Sequence, residues 1–469
     1  MITEFYSRSD STSGKMRIVT FHIAVLYITF IYVARSECLE DDSLLVETSS
    51  GVVQGASGNQ LLERTDRCTG FGAYRTRNHL LLCQKKKWTG ILDVSEDSVQ
   101  CIHGSNKTEG SEDCLNLKIY TTTLPKEQKK LPVFVFIHGG AFIFGSPNFT
   151  VYKPDLLLDE DVVVVAPQYR LGLFGFLSTG DMVAPGNNGI KDLVLALKWV
   201  KENIEAFGGD PDNITVAGQS AGSALVSYLL QTNHTKGLFN RAIMHSGTSL
   251  CLWAYFRKSV EFAADVAEYL KLDVNGTQGL FDQLKLMDAT ELLKAQEEVL
   301  LEFLKDSNPR DGVIVGPVIE PEHEGAVFSG RSYQELLKGN FHRVPLIVGH
   351  TSLEAYLNDI PGILRFYLGQ FDIFVSKLVP IDMYIENLIQ SHMVGSTIKK
   401  EYFGNDMIAL SDFKLMKYIS DDQFERPVQQ SVKLPTQTKL QCTIINFRTK
   451  ELCTELLTEH GQVWDIQRI

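Results

Sequence analysis

Ser220 stands in Gly218-Gln219-Ser220-Ala221-Gly222, directly after the apolar run Ile214-Thr215-Val216-Ala217 and just before a helical stretch over residues 224–230. A serine between glycines, where a strand turns at once into a helix, is pushed out of the sheet with its hydroxyl exposed. The glycines are required because side chains there would clash. The start of the helix behind it favours negative charge. The chemistry this permits is nucleophilic attack on a carbonyl. Such an attack builds an oxyanion, which needs backbone N–H groups already aimed at it. His138-Gly139-Gly140-Ala141-Phe142 follows the apolar run Val133-Phe134-Val135-Phe136-Ile137 and can supply them. Gly140, Ala141 and Ala221 are the expected donors; alone, the loop would read as an ordinary glycine turn.

A serine nucleophile also needs a base and an acid that orients it. Glu354 lies just beyond Pro345-Leu346-Ile347-Val348, at a strand end suited to the acid; the plainer reading is a surface glutamate. His350 beside it reads as a bystander. Two histidines follow Glu354, His392 and His460. His392 falls early, inside a helical stretch. His460 follows residues 440–448, a plausible last strand, and precedes Gly461, so it is the expected base. Alternatively it is a tail residue without a role. The chain order serine, acid, histidine is that of the α/β-hydrolases.

The elements around these residues fit. Val162-Val163-Val164-Val165-Ala166 and Ala242-Ile243-Met244-His245 are two more continuous apolar runs. Such runs mean strands covered on both faces, hence a mostly parallel sheet flanked by helices. Residues 191–205 carry a helical apolar pattern, Asp288-Ala289-Thr290-Glu291 resembles a capping box, and residues 45–55 alternate around Ser49-Ser50-Gly51 as a hairpin would.

With 469 residues, 45 Lys+Arg against 57 Asp+Glu and a net charge of −12, the chain is long enough for a large core. It is also too acidic for nucleic acid to be the main partner. Lys15-Met16-Arg17 leads into the apolar residues 18–34, and Ala34-Arg35-Ser36 offers small residues two apart. That is the pattern of a signal peptide from Met16 to about Ser36; uncleaved, it would be a membrane anchor. Asn106, Asn148, Asn213, Asn233 and Asn275 head glycosylation sequons. The eight cysteines show no metal-site spacing. The expected organisation is an upstream segment and signal over 1–36, then one domain over 37–469.

Further stretches carry a resemblance. They are Ser111-Glu112-Asp113-Cys114-Leu115-Asn116-Leu117, Tyr169-Arg170-Leu171-Gly172, Pro185-Gly186-Asn187-Asn188-Gly189, Phe207-Gly208-Gly209-Asp210-Pro211 and Ser246-Gly247. With the two motifs above, the chain resembles the type-B carboxylesterases, the family of cholinesterases, juvenile hormone esterases and insect carboxylesterases. Gln219, where many relatives carry Glu, resembles the insect members. The resemblance implies an α/β-hydrolase fold and a Cys101–Cys114 disulfide. It also implies a secreted enzyme that cleaves small-molecule carboxylic esters through an acyl-enzyme, with no metal or cofactor. The chain departs from the family over residues 57–84, a basic, proline-free stretch that adds Cys68 and Cys83. It departs again near His460, where the family's glycine three residues earlier is Leu457 and the C-terminal part is longer. An adhesion or binding protein on the same scaffold, without catalysis, is the alternative from another class. A third is an inactive esterase fragment.

Overall fold

The computed structural model describes residues 45–54, 56–57, 62–70, 83–85, 88–93, 99–104, 109–123, 127, 129–147, 152, 154–306, 315–357, 370–436 and 442–447. The first strands in chain order are β1 (Leu45–Thr48), β2 (Gly51–Gln54), β3 (Ala56–Ser57), β4 (Leu62–Gly70), β5 (Cys83–Lys85) and β6 (Ile91–Asp93). Then follow β7 (Leu115–Thr121), β8 (Leu131–Ile137), β9 (Val163–Pro167), β10 (Gly209–Gln219), β11 (Arg241–His245), β12 (Leu346–Thr351) and β13 (Cys442–Phe447).

Each apolar run between residues 133 and 348 becomes a strand of one sheet, ordered β13-β12-β11-β10-β8-β9-β7-β4-β3, with β5 paired to β4. From β13 to β9 every pairing is parallel. The antiparallel strands lie at the β7 side. Continuous apolar composition has the expected cause: Val163, Val165, Val216 and Val348 are all fully buried. Strand β10 is longer than its apolar core suggests, since it begins at Gly209 and its register against β8 shifts before Ile214. The Ser57–Gln84 departure lands on this flank, where β4 runs antiparallel to β7 from Leu62 opposite Thr121 to Cys68 opposite Leu115.

The expected hairpin forms as β1 and β2, with Thr48 opposite Gly51. The helix expected over 191–205 runs Asn188–Asn203 and tightens into a 3-10 turn, Ile204–Phe207. The helix Ala221–Gln231 is buried from Ala221 to Leu230, which explains why its sequence is apolar on every side. Replacing a fully buried leucine here, such as Leu225, costs about 2–5 kcal/mol. The helix Ala289–Asp306 opens where the capping pattern lies, with the Thr290 N–H donating to Asp288 Oδ1 at 2.9 Å.

A disulfide joins Cys101 to Cys114, as the resemblance implied. It spans 13 residues and both ends are buried. Closing a loop of that size stabilises by about 3 kcal/mol on the chain-entropy account.

Candidate active site

Parallel strands deliver their C-terminal ends to one edge, and the chemistry-bearing residues collect there. His138 follows the end of β8, Ser220 the end of β10 and Ser246 the end of β11, and Glu354 lies three residues beyond β12. β10 lies between β8 and β11, so Ser220 sits between the His138 loop and the Ser246 turn.

Ser220 has φ 56 and ψ −123, a strained combination for a residue with a side chain. Its surroundings hold that conformation. The Ser220 N–H donates to His245 O at 2.8 Å, and Ser220 O accepts from Ala224 N at 3.0 Å in the first turn of the helix. The turn closes so tightly that a Cβ on Gly222 would lie 2.1 Å from Ile137 O and 2.5 Å from His138 O. A Cβ on Gly218 would lie 2.4 Å from Gly222 C. Both glycines of the motif are therefore steric requirements. Ser220 itself remains only partly buried.

The expected oxyanion loop touches the nucleophile turn. A Cβ on Gly139 would lie 2.6 Å from Gln219 Oε1 and 3.2 Å from Ser220 Cβ. Gly140 has φ 116, Ala141 φ 51 and Phe142 φ 65, so three residues in succession turn the left-handed way. The Gly140 carbonyl accepts from Ile143 N and Phe144 N, both at 3.0 Å, which closes the loop on itself. Among the described residues no hydrogen bond takes up the N–H of Gly140, Ala141 or Ala221. Three donors left over beside a serine hydroxyl are what a developing oxyanion requires.

His138 anchors this loop from below. It is fully buried, its ring stacks on Tyr169 with centroids 4.4 Å apart, and its carbonyl accepts from the Tyr169 hydroxyl at 3.0 Å. Nδ1 lies 2.8 Å from Gly139 O. Burial lowers its pKa from 6.5 to about 4, so the ring is neutral at physiological pH. A neutral ring can donate from Nδ1 to that carbonyl.

Glu354 is buried, and its Oε1 accepts from Thr351 N–H at 2.6 Å. One oxygen is thereby fixed by the end of β12, which sets the orientation of the carboxylate. His350 is buried as well, with Nδ1 3.0 Å from Thr351 O. His392 is exposed on the helix Leu388–Tyr402. His460, Asn106, Asn148 and the residues from Met16 to Ser36 lie outside the described residues. Of the other sequons, Asn233 and Asn275 are exposed, whereas Asn213 is partly buried and accepts from Arg241 Nη1 at 2.5 Å.

Sequence reasoning missed two supports. Arg170 and Asp192 form a buried bidentate pair, with Nε to Oδ2 at 2.8 Å and Nη2 to Oδ1 at 2.7 Å. Trp253 packs against Phe142 and Phe424, with centroids 6.3 and 5.5 Å away, and its Nε1 donates to Gln423 O at 3.1 Å. Arg170 belonged to a recognisable stretch, but its partner lies 22 residues on, and neither segment alone shows that the two meet. Among the described residues no group of three or more His, Cys, Asp or Glu could hold a metal ion.

A mostly parallel sheet flanked by helices, with a serine in a strand-to-helix elbow, a glycine loop beside it and a glutamate two strands further on, defines an α/β-hydrolase fold. The carboxylesterase family model matches residues 83–454, and the chain belongs to that family. It is 33% identical to venom carboxylesterase-6 of Apis mellifera over 74% of this chain and 64% of that one. It is 35% identical to juvenile hormone esterase of Tribolium castaneum over 58% of this chain and 48% of that one. The chain thus spans from about half to under two thirds of these curated relatives. In three dimensions it matches juvenile hormone esterase from Manduca sexta, solved with OTFP covalently attached. That match has a TM-score of 0.72 and 26% identity, and covers 86% of this chain and 78% of the other.

Proposed function

We propose that the chain is a secreted serine esterase that cleaves small-molecule carboxylic esters through an acyl-enzyme, without metal or cofactor. The observation that carries this reading is the strained Ser220 backbone packed directly against a glycine loop whose N–H donors take no partner among the described residues. Ser220 attacks the ester carbonyl, and the oxyanion forms against the N–H groups of Gly140, Ala141 and Ala221. His460 takes the serine proton and returns it to the departing alcohol, while Glu354 orients it and stabilises its charged form. The same base then activates water, which releases the acid. The exposed position of His392 on a helix favours His460 as the base. The Cys101–Cys114 bridge and the exposed sequons Asn233 and Asn275 suit an oxidising, secretory route, with a signal from Met16 to Ser36 and a single domain beyond it.

The test is reaction with an organophosphate ester and turnover of short p-nitrophenyl esters. Stoichiometric labelling of Ser220 and loss of turnover by on the order of 10⁶-fold in Ser220→Ala are expected. A chain that neither labels nor hydrolyses is a binding protein or an inactive fragment on this scaffold.

A further inference from the structure

A cavity lies where neither Ser220 nor its neighbours in the elbow form the lining. It has a volume of ≈ 640 Å³ and is reached past the helix Ser332–Lys338 and the short 3-10 turn Ile381–Met383. Neither Ser220 nor Glu354 nor any residue of the expected oxyanion loop lines it. Its size is that of a small-molecule site, and such sites combine apolar walls with a few placed polar groups. Here Leu250, Leu252 and Phe328 supply apolar wall, and Arg331 and Ser332 supply the polar groups.

The charge at this cavity is positive. The guanidinium of Arg331 lies 5.4 Å from the centre of the Tyr384 ring, and its Nη1 donates to the Tyr384 hydroxyl at 3.1 Å. Tyr384 thus holds the arginine in place without neutralising it. Among the described residues Arg331 has no carboxylate partner. The one carboxylate on the lining, Asp382, is taken up by Arg426 through bonds of 2.7 and 3.2 Å. Cys251, also on the lining, adds no negative charge, since burial pushes its thiol up to about 12. Ser332, 7% exposed, also lines the cavity, with its hydroxyl beside that of Tyr228. A hydroxyl has one donor and two acceptor sites, so beside Tyr228 it can still bond to a polar head that enters the cavity.

We infer that this cavity binds an anionic amphiphile, a long-chain carboxylate whose head meets Arg331 and the Ser332 hydroxyl and whose chain lies along Leu250, Leu252 and Phe328. The head-group bond is charge-assisted, and an arginine held over an aromatic ring gives up little side-chain freedom on binding. The apolar walls supply the remainder by removing chain methylenes from water. This site does not depend on the esterase reading, because binding is measured without turnover.

The test is calorimetric titration of the full chain with dodecanoate below its micelle concentration, alongside dodecan-1-ol. Saturable binding of one dodecanoate is expected. Arg331→Gln, a change at an exposed side chain, should weaken it by at least fivefold and leave dodecan-1-ol unaffected. Leu250→Trp, which fills the cavity, should weaken both ligands. No saturable dodecanoate binding, or an Arg331→Gln effect smaller than fivefold, overturns the assignment. An equal loss of dodecan-1-ol in Arg331→Gln overturns it too, because the arginine would then not be reading charge.

Discussion

His138 shows how a residue with no direct part in the chemistry can govern the site. Its ring is fully buried beneath the oxyanion loop, and desolvation holds its pKa near 4 in the folded chain, against 6.5 for an exposed histidine. Between those values the unfolded state binds a proton that the folded state refuses, so stability rises with pH across this window and falls as the solution is acidified. The full shift corresponds to about 3 kcal/mol, lost progressively from roughly pH 6.5 down to 4. Chemical denaturation at intervals across that range should show the loss, and His138→Gln should flatten the profile. An unchanged pH slope in the variant would mean that the acid sensitivity has another origin. His138 was legible in the sequence only as the first residue of a glycine loop. Its burial and its stacking on Tyr169 depend on residues 31 positions apart meeting, which no local pattern encodes.

The strand-to-helix turn is the element on which everything else depends, and it was legible almost completely. The pentapeptide and the apolar run before it name the turn, because only one kind of backbone needs glycine at both ends of so short a segment. The structure adds the contact: Gly222 lies against the carbonyls of Ile137 and His138, where β8 passes into the oxyanion loop. A methyl group at Gly222 would sit 2.1 Å from backbone oxygen, which cannot rotate away. Gly222→Ala should therefore separate the elbow from the loop. Loss of ester turnover by a factor of at least about 10² is expected, the scale of losing one oxyanion donor. Reduced thermal stability should accompany it. Wild-type turnover in a folded Gly222→Ala chain, checked by circular dichroism, would show that the two segments need not touch. The register shift in β10 and the Trp253 contacts were not legible, because each arises from packing between segments distant in sequence.

Across the whole molecule, strand order decides which residues can meet. β8, β10, β11, β12 and β13 are parallel neighbours, so the loops leaving their C-terminal ends share one edge. The proposed nucleophile, oxyanion donors and acid leave β10, β8 and β12 at that edge. β13 ends at the same edge, and His460 follows it in sequence, outside the described residues. β13 pairs in parallel with β12 from Cys442 opposite Leu346 to Phe447 opposite Thr351, so the chain emerges level with the turn that holds Glu354. His392 is exposed on the helix Leu388–Tyr402 and does not follow a strand of this sheet. His460→Ala should therefore reduce turnover nearly as far as Ser220→Ala, and the double variant should be little worse than either, because members of a triad act as a unit. His392→Ala should leave turnover within about twofold, as exposed substitutions away from a site do. The pH profile of kcat/KM should fall below about pH 6, where an imidazole base becomes protonated and cannot accept the serine proton. Full activity in His460→Ala, or its loss in His392→Ala, would remove the loop after β13 from the reaction and leave the serine without the base that this strand order assigns to it.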